Sequence, residues 1–280
     1  MFERIARGWS LTKASFKVLS LDKEMVALPL LAGVLQIIAV VALGLGAWGL
    51  GLFSGADGGG LGLAGYLAIF AIYVVVYAIV IFFNAAVIEM ATIRFNGGDP
   101  VLKDGLRKSW SRIGRILQWA VVAATVGIIF RILRDQAKDN ILARILVSFL
   151  EFGWNVAVFF VVPVLVFQDV GPFDAIKGSM GLMKRSWGES LTGVATTGII
   201  FFFLGLLGLV PFFLGVLAMG ASVVLGVAFI AVAVVYWIVL SAVNSAVDGI
   251  LVAGLYKWAN EGTLPQAFSD QGIRAENLAW

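Results

Sequence analysis

The sequence predicts an all-α, polytopic membrane protein, and three observations lead there. Mean hydropathy is +0.99, with 61% hydrophobic and only 13% charged residues, where soluble domains run about 45–50% apolar and about 25% charged. The apolar residues gather into six long runs. The basic residues sit beside those runs, mostly on alternate connections. Lipid is the solvent that suits such a chain. There is no Cys and no His, which excludes disulfides, Fe–S clusters, thiol catalysis, most zinc sites and imidazole acid–base chemistry. No cofactor and no metal is expected. Net charge is +3 and the sequence pI about 9.2, yet the cations flank the spans. They are read as topology and headgroup charge, not as a nucleic-acid surface.

Element by element, the first run is Met25–Phe53, with Gln36 its one strongly polar side chain, and the second is Leu61–Ile88, interrupted by Asn84. The third is short, about Ile116–Phe130, bracketed by Arg115 and Arg131. The fourth, Ile145–Phe167, contains Glu151, Asn155 and Pro163. The charge-free interval between Glu189 and Asp248 is too long for one crossing. It fits two, about Leu191–Leu217 and Val223–Val247, hinged at 219–222. A bilayer core near 30 Å takes about 20 helical residues, so five runs span comfortably. The third is expected to thin the bilayer or let its arginines snorkel. Sixteen Lys/Arg fall on one side of the six crossings and four on the other, all four in the middle turn (Arg131, Arg134, Lys138, Arg144). That asymmetry predicts both termini in the cytoplasm of a plasma (inner) membrane. The basic leader is long and the first apolar run exceeds a signal h-region, so an uncleaved first span is expected.

A threefold internal pattern overlays this layout. Before each odd-numbered span lies a basic segment with helical apolar spacing and a Trp: Phe2, Ile5, Trp9, Thr12, Phe16, Leu19; then Leu102, Leu106, Trp110, Ile113, Leu117; then Phe173, Ile176, Met180, Met183, Trp187, Leu191. The opposite faces carry Arg4, Arg7 and Lys17, then Lys103, Arg107 and Lys108, then Lys177, Lys184 and Arg185. Such segments predict amphipathic helices in the cytoplasmic interface plane. Each even-numbered span ends in a polar Gly-containing turn and a proline, at Pro100, Pro172 and Pro265, with Gly closing the helix and Pro opening the next. The expected architecture is one membrane domain, 1–280, of three parallel hairpin repeats, roughly 1–100, 101–172 and 173–265, followed by a cytoplasmic tail, 266–280.

The opening Arg7-Gly-Trp-Ser-Leu-Thr-Lys-Ala-Ser, running into Asp22-Lys-Glu, and the closing Leu255-Tyr-Lys-Trp-Ala-Asn-Glu-Gly resemble a family of uncharacterised prokaryotic six-span integral membrane proteins. By layout alone the chain is also remotely similar to the membrane domain of glycerophosphodiester phosphodiesterases. The resemblance implies a fold and carries over no catalytic residue and no substrate.

Polar groups inside spans are costly and often functional. Asn84 and Glu89 end the second span, and Asn244 and Asp248 the sixth. They are read first as interfacial caps or interhelical hydrogen bonds, with Glu89 answered by Arg94 or Lys103. The alternative is a cytoplasmic vestibule. Glu151 and Asn155 lie one turn apart on the fourth span. A glutamate there is expected either to hold its proton more tightly or to need a cation such as Arg131 or Arg134 from the outer elbow. A structural pair is read ahead of a proton or cation site. Pro163 is read as an ordinary span proline, with a kink as the alternative. Ala42/Gly46, Ala47/Gly51 and Ala218/Ser222/Gly226 offer small-residue packing for the chain itself or for an oligomer. Trp48, Trp119, Trp154 and Trp258 are expected interface anchors. The run Gly58-Gly-Gly-Leu-Gly62 reads as a hairpin turn rather than a phosphate loop.

Three function classes follow. An enzyme is the least supported, for want of a nucleophile–base pair or a metal motif. A transporter or channel would use Glu151 and Asn155, but no span shows paired Gly/Pro breaks at corresponding positions. The leading expectation is a non-enzymatic lipid-binding, scaffolding or accessory subunit. It would dock anionic lipid, or a membrane protein partner or second copy, through Trp9, Trp110, Trp187, Arg107, Lys108, Lys184 and Arg185.

Overall fold

Long apolar runs with few interior breakers can satisfy every backbone group only as helix once water is excluded. The computed structural model describes residues 2–53, 62–270 and 273, and every regular element among them is helical. In order these are α1 (Phe2–Leu21), a 3₁₀ turn (Lys23–Val26), α2 (Ala27–Gly49), α3 (Leu63–Phe95), α4 (Leu102–Ser111), α5 (Ile113–Ala137), α6 (Ile141–Ala157), α7 (Val161–Gln168), α8 (Pro172–Leu207), α9 (Leu209–Ala218), α10 (Val223–Glu261) and α11 (Gln266–Ser269). Six helical stretches are long and apolar enough to cross a membrane: Lys23–Gly49, Leu63–Phe95, Ile113–Ala137, Ile141–Gln168, Ser190–Ala218 and Val223–Glu261. The chain is a multi-pass membrane protein by this measure. Most of the glycine run at 58–62 lies outside the described residues.

The third span is not short. Its helix continues for 25 residues to Ala137 and carries Arg131 and Arg134 within it. Arginine is a good helix former with a long aliphatic stem, so a charge bounds an apolar run without ending the helix. The fourth span does break. Helix α6 stops at Ala157 and α7 starts at Val161, with Val158 and Phe160 off helical angles. Pro163 explains the break, because it lacks an N–H and its ring clashes with the carbonyl of Phe159. The freed N–H of Phe160 donates to Ser179 Oγ at 2.9 Å. Pro211 stands in the same relation to Gly208, where α8 gives way to α9 with the backbone still at helical angles.

Contacts divide the chain into two compact units. One holds Met1–Leu30, Val87–Leu102 and Arg185–Trp280, the other Leu31–Ala86 and Lys103–Lys184. In the first, α10 runs antiparallel to α8 and α9. Tyr236 donates to Leu204 O at 2.6 Å, Trp237 Nε1 to Gly205 O at 3.0 Å, and Leu251 lies against Gly193. Helix α1 packs beside α8. Thr12 and Thr197 share a hydrogen bond at 2.9 Å, and Phe16 stacks on Phe201 with ring centres 5.7 Å apart. Gly8 permits this approach, since a Cβ there would fall 2.8 Å from the Thr192 carbonyl. Gly254 similarly leaves room for the buried Phe268 ring.

In the second unit, α3 and α5 run antiparallel, with Arg131 Nη1 donating to Tyr73 Oη at 3.0 Å and Gly127 facing Tyr77. Trp119 stacks on Trp154 at 6.0 Å. Here an expectation fails: Trp119 and Trp258 are buried, and of the four expected anchors Trp48 is the one widely exposed. The small-residue pattern also holds only in part. Gly226 packs tightly on Gly215 and Met219, whereas a Cβ at Gly46 or Gly51 would meet open space.

The polar ends follow the expected grammar with one substitution. Gly97 and Gly262 take positive φ after α3 and α10, as helix-closing glycines do. After α7 that position falls to Asp169 (φ 53), not to Gly171. Pro172 opens α8 as expected.

Candidate functional site

The basic segments are built as helices that bend into the following span. Helix α1 meets the 3₁₀ turn at Asp22, α4 meets α5 at Arg112 (φ −111, ψ 12), and the first part of α8 meets its second at Ser186 (φ −123, ψ 16). Two of these bends are held by charge. Asp22, almost fully buried, accepts from Arg94 Nε at 2.6 Å and from Arg94 Nη2. Arg94 also binds Asp99 in the turn after α3. In the second unit the signs are exchanged. Arg112 at the bend pairs with Asp169 at 2.6 Å, Arg115 adds a contact at 3.4 Å, and Arg112 Nε donates to Val166 O at 3.2 Å. The last bond satisfies one of the carbonyls that the end of α7 leaves open. Hydrogen bonds from Arg112 and then Arg115 hold the Asp169 carboxyl below the ordinary carboxylate range. The sequence does not show these clasps: Arg94 is expected there to answer Glu89, whereas it pairs with Asp22 and Asp99, and Arg112 counts as a topology charge. The signal available was a charge at each bend and an opposite charge at the turn before a proline.

The tryptophans of the three segments all remain exposed: Trp9 at 48%, Trp110 at 69% and Trp187 at 45%. The predicted stripes divide around them. On α1, Leu11, Thr12, Ala14, Ser15, Val18 and Leu19 are buried while Trp9 faces out beside Lys13, whose Nζ sits 5.8 Å above its ring. The face packed inward is the one rich in small and hydroxyl side chains, because those let helix backbones approach. The side chains of 2–6 lie outside the described residues. On α4 the buried positions are Gly105 and Ser109. Lys184 and Arg185 are exposed beside Trp187.

A groove opens beside α4. Its walls are Phe82 of α3 and Lys103, Leu106, Arg107 and Trp110 of α4, and it is an open depression of about 530 Å³. The Trp110 ring stands edge-on to Phe82, with centres 6.4 Å apart. Arg107 makes a loose contact with Asp104 at 3.6 Å. Lys108, expected among the docking residues, is turned away from the groove and sits 5.4 Å over the Phe167 ring. The sequence pattern named Arg107 and Trp110 but missed Phe82, which comes from a different helix.

The intramembrane candidates fall in different settings. Glu151 is an ion-pair partner of Arg134 at 2.8 Å, so the expected cation comes from the last turn of α5 rather than from the elbow. Asn155, one turn on, is exposed. Asn244 Nδ2 donates to Asp248 Oδ2 at 3.2 Å, and Asn244 Oδ1 is buried without a partner. Glu89 is half-buried on α3 in the same unit, whereas the half-buried Asn84 belongs to the other. Among the described residues no group of three or more Asp and Glu is placed to hold a metal ion.

No curated protein and no solved structure matches the chain, so the likeness in layout to the phosphodiesterase membrane domain finds no support. Residues 63–265 match a family of unknown function (DUF6159). That region runs from the start of α3 to the proline after α10 and leaves out the opening Arg7–Ser15 motif. The chain belongs to this family of unknown function.

Proposed function

We infer that the protein is a non-enzymatic membrane subunit that binds anionic lipid through the basic, tryptophan-bearing helices at one end of its spans. The observation that carries this reading is the exposure of Trp9, Trp110 and Trp187 on helices whose other faces are packed. An amphipathic ring left outside a packed helix, with Lys13, Lys103, Arg107, Lys184 and Arg185 nearby, suits the boundary between acyl chains and headgroups. The bias of sixteen basic residues to four supports a cytoplasmic placement of this end and of both termini in an inner membrane. The recurrence of helix, bend, two spans and polar stop supports a threefold repeat. The opposite-sign clasps at the first two bends fit it. Scaffolding of a partner or a second copy would use the same face.

Reconstitution tests the reading. The thermal midpoint in nanodiscs should rise when phosphatidylglycerol replaces part of the phosphatidylcholine, and the rise should shrink in a K13Q/K184Q/R185Q variant. Equal midpoints in both lipids would count against it.

A transporter is the second reading, favoured by the break at 158–160, since transporters use discontinuous helices. Proteoliposome flux lost on Glu151→Gln would promote it above lipid binding.

A further inference from the structure

We propose that the groove beside α4 holds one anionic phospholipid, its phosphate on Lys103 and Arg107 and one acyl chain along Phe82, Leu106 and Trp110. The proposal rests on the lipid-docking reading and narrows it from a surface to a site. The depression offers about 530 Å³ and is open to the outside, which suits part of a lipid rather than an enclosed small molecule. The lining divides by chemistry as an amphiphile does. Phe82, Leu106 and Trp110 give an apolar wall on two helices, and the exposed side chains of Lys103 and Arg107, one turn apart on α4, border it. Lys103 carries no ion pair among the described residues, and Arg107 has only its 3.6 Å contact with Asp104. A phosphodiester can therefore engage both without displacing a tight partner, with Arg107 able to present two parallel donors.

The other basic residue of this segment argues by contrast. Lys108 is occupied over Phe167 and lies outside the groove. Water-filled, the groove would leave Trp110 more than two-thirds bare beside an apolar wall, which favours an apolar occupant. The indole stands edge-on to Phe82, so the two rings meet within the apolar wall. A diacyl lipid suits the site better than free phosphate because the lining is almost wholly apolar.

Native mass spectrometry of the full chain, extracted in mild detergent after reconstitution with dioleoyl phosphatidylglycerol and dioleoyl phosphatidylcholine, tests this. One phosphatidylglycerol per chain should survive delipidation. It should be held roughly tenfold less well by K103Q/R107Q and be unaffected by K108Q. Bromination of the phosphatidylglycerol chains should quench wild-type fluorescence, and W110F should lose most of the specific quenching while retaining its fold. Equal retention by K103Q/R107Q and wild type, equal retention of phosphatidylcholine, or displacement by glycerol phosphate lacking acyl chains would each overturn the site. Failure here with the phosphatidylglycerol-dependent rise in midpoint intact would reject the groove alone. Loss of that rise with one lipid still held in the groove would reject the broader surface.

Discussion

The two halves of α10 show how this protein is divided. At about 1.5 Å per residue, its 39 residues make a rod of roughly 58 Å, nearly twice a bilayer core of about 30 Å. From Val223 to Ser241 most positions are exposed, and Gly226 and Ala233 are the buried exceptions. From Ala242 to Ala259 no position is exposed. Composition hardly changes across this boundary, for both halves are apolar. What differs is the partner. The first half is exposed apart from contacts with α8 and α9. The second is enclosed in a unit that also contains α1, α11 and the end of α3. The two halves therefore obey different rules: exposed valines need only be apolar, whereas buried residues must also fit. The tolerated and forbidden substitutions should differ accordingly.

The largest contrast is expected from paired truncations. Leu251→Ala, in the enclosed half, should cost about 3 kcal/mol, the middle of the range for a buried leucine. Val235→Ala, in the exposed half, should cost within about 0.5 kcal/mol because lipid fills the gap. Thermal midpoints in detergent measure both, and equal losses would break the comparison. Next comes the clasp on the same packed unit. Arg94→Gln leaves the buried Asp22 carboxylate without its cation and should cost about 2 kcal/mol. That is below the 3–5 kcal/mol of a fully buried pair because the Arg94 side chain is 23% exposed. A double variant R94Q/D22N that recovers much of the loss would sharpen the assignment, and one that recovers none would remove it. Trp237→Phe deletes the hydrogen bond to Gly205 O and should cost about 1 kcal/mol. The smallest effect is pH-dependent. Arg112 and Arg115 depress the Asp169 pKa in the folded state. The pair therefore stabilises fully above the unfolded value of about 3.9, and this contribution fades as pH falls through the lower folded value. Between pH 6 and 3 the wild type should lose more stability than Asp169→Asn, as followed by unfolding midpoints.

Much of this was legible from residues, and the reason is the solvent. Lipid forces backbone polar groups into helix, so the six apolar runs mapped onto six spans, with the turn at 219–222 where the charge-free interval demanded one. Boundaries were read less well. Apolar runs ended at Ile88, Phe130 and Val247, but the helices continue to Phe95, Ala137 and Glu261, because arginine, asparagine and glutamate neither cap nor break by composition alone. Burial was misread where hydropathy is ambiguous. Trp119 and Trp258 are as apolar as Trp48, and only the packing of distant segments separates core from belt. The groove needed Phe82 from α3, and the clasps needed Asp22 to meet Arg94 across 72 positions. Periodicity within one helix cannot report such meetings. Glu151 could be paired in advance because its partner, Arg134, lies just across a short elbow.

Photoactivatable acyl chains test the division of α10 most directly. Wild-type protein would be illuminated in bilayers containing diazirine-tagged phospholipid, digested, and mapped by mass spectrometry. Adducts concentrated on residues 223–241 and nearly absent from 242–259 are the predicted result. Equal labelling along both stretches would contradict it, because the second half would then be facing lipid as well.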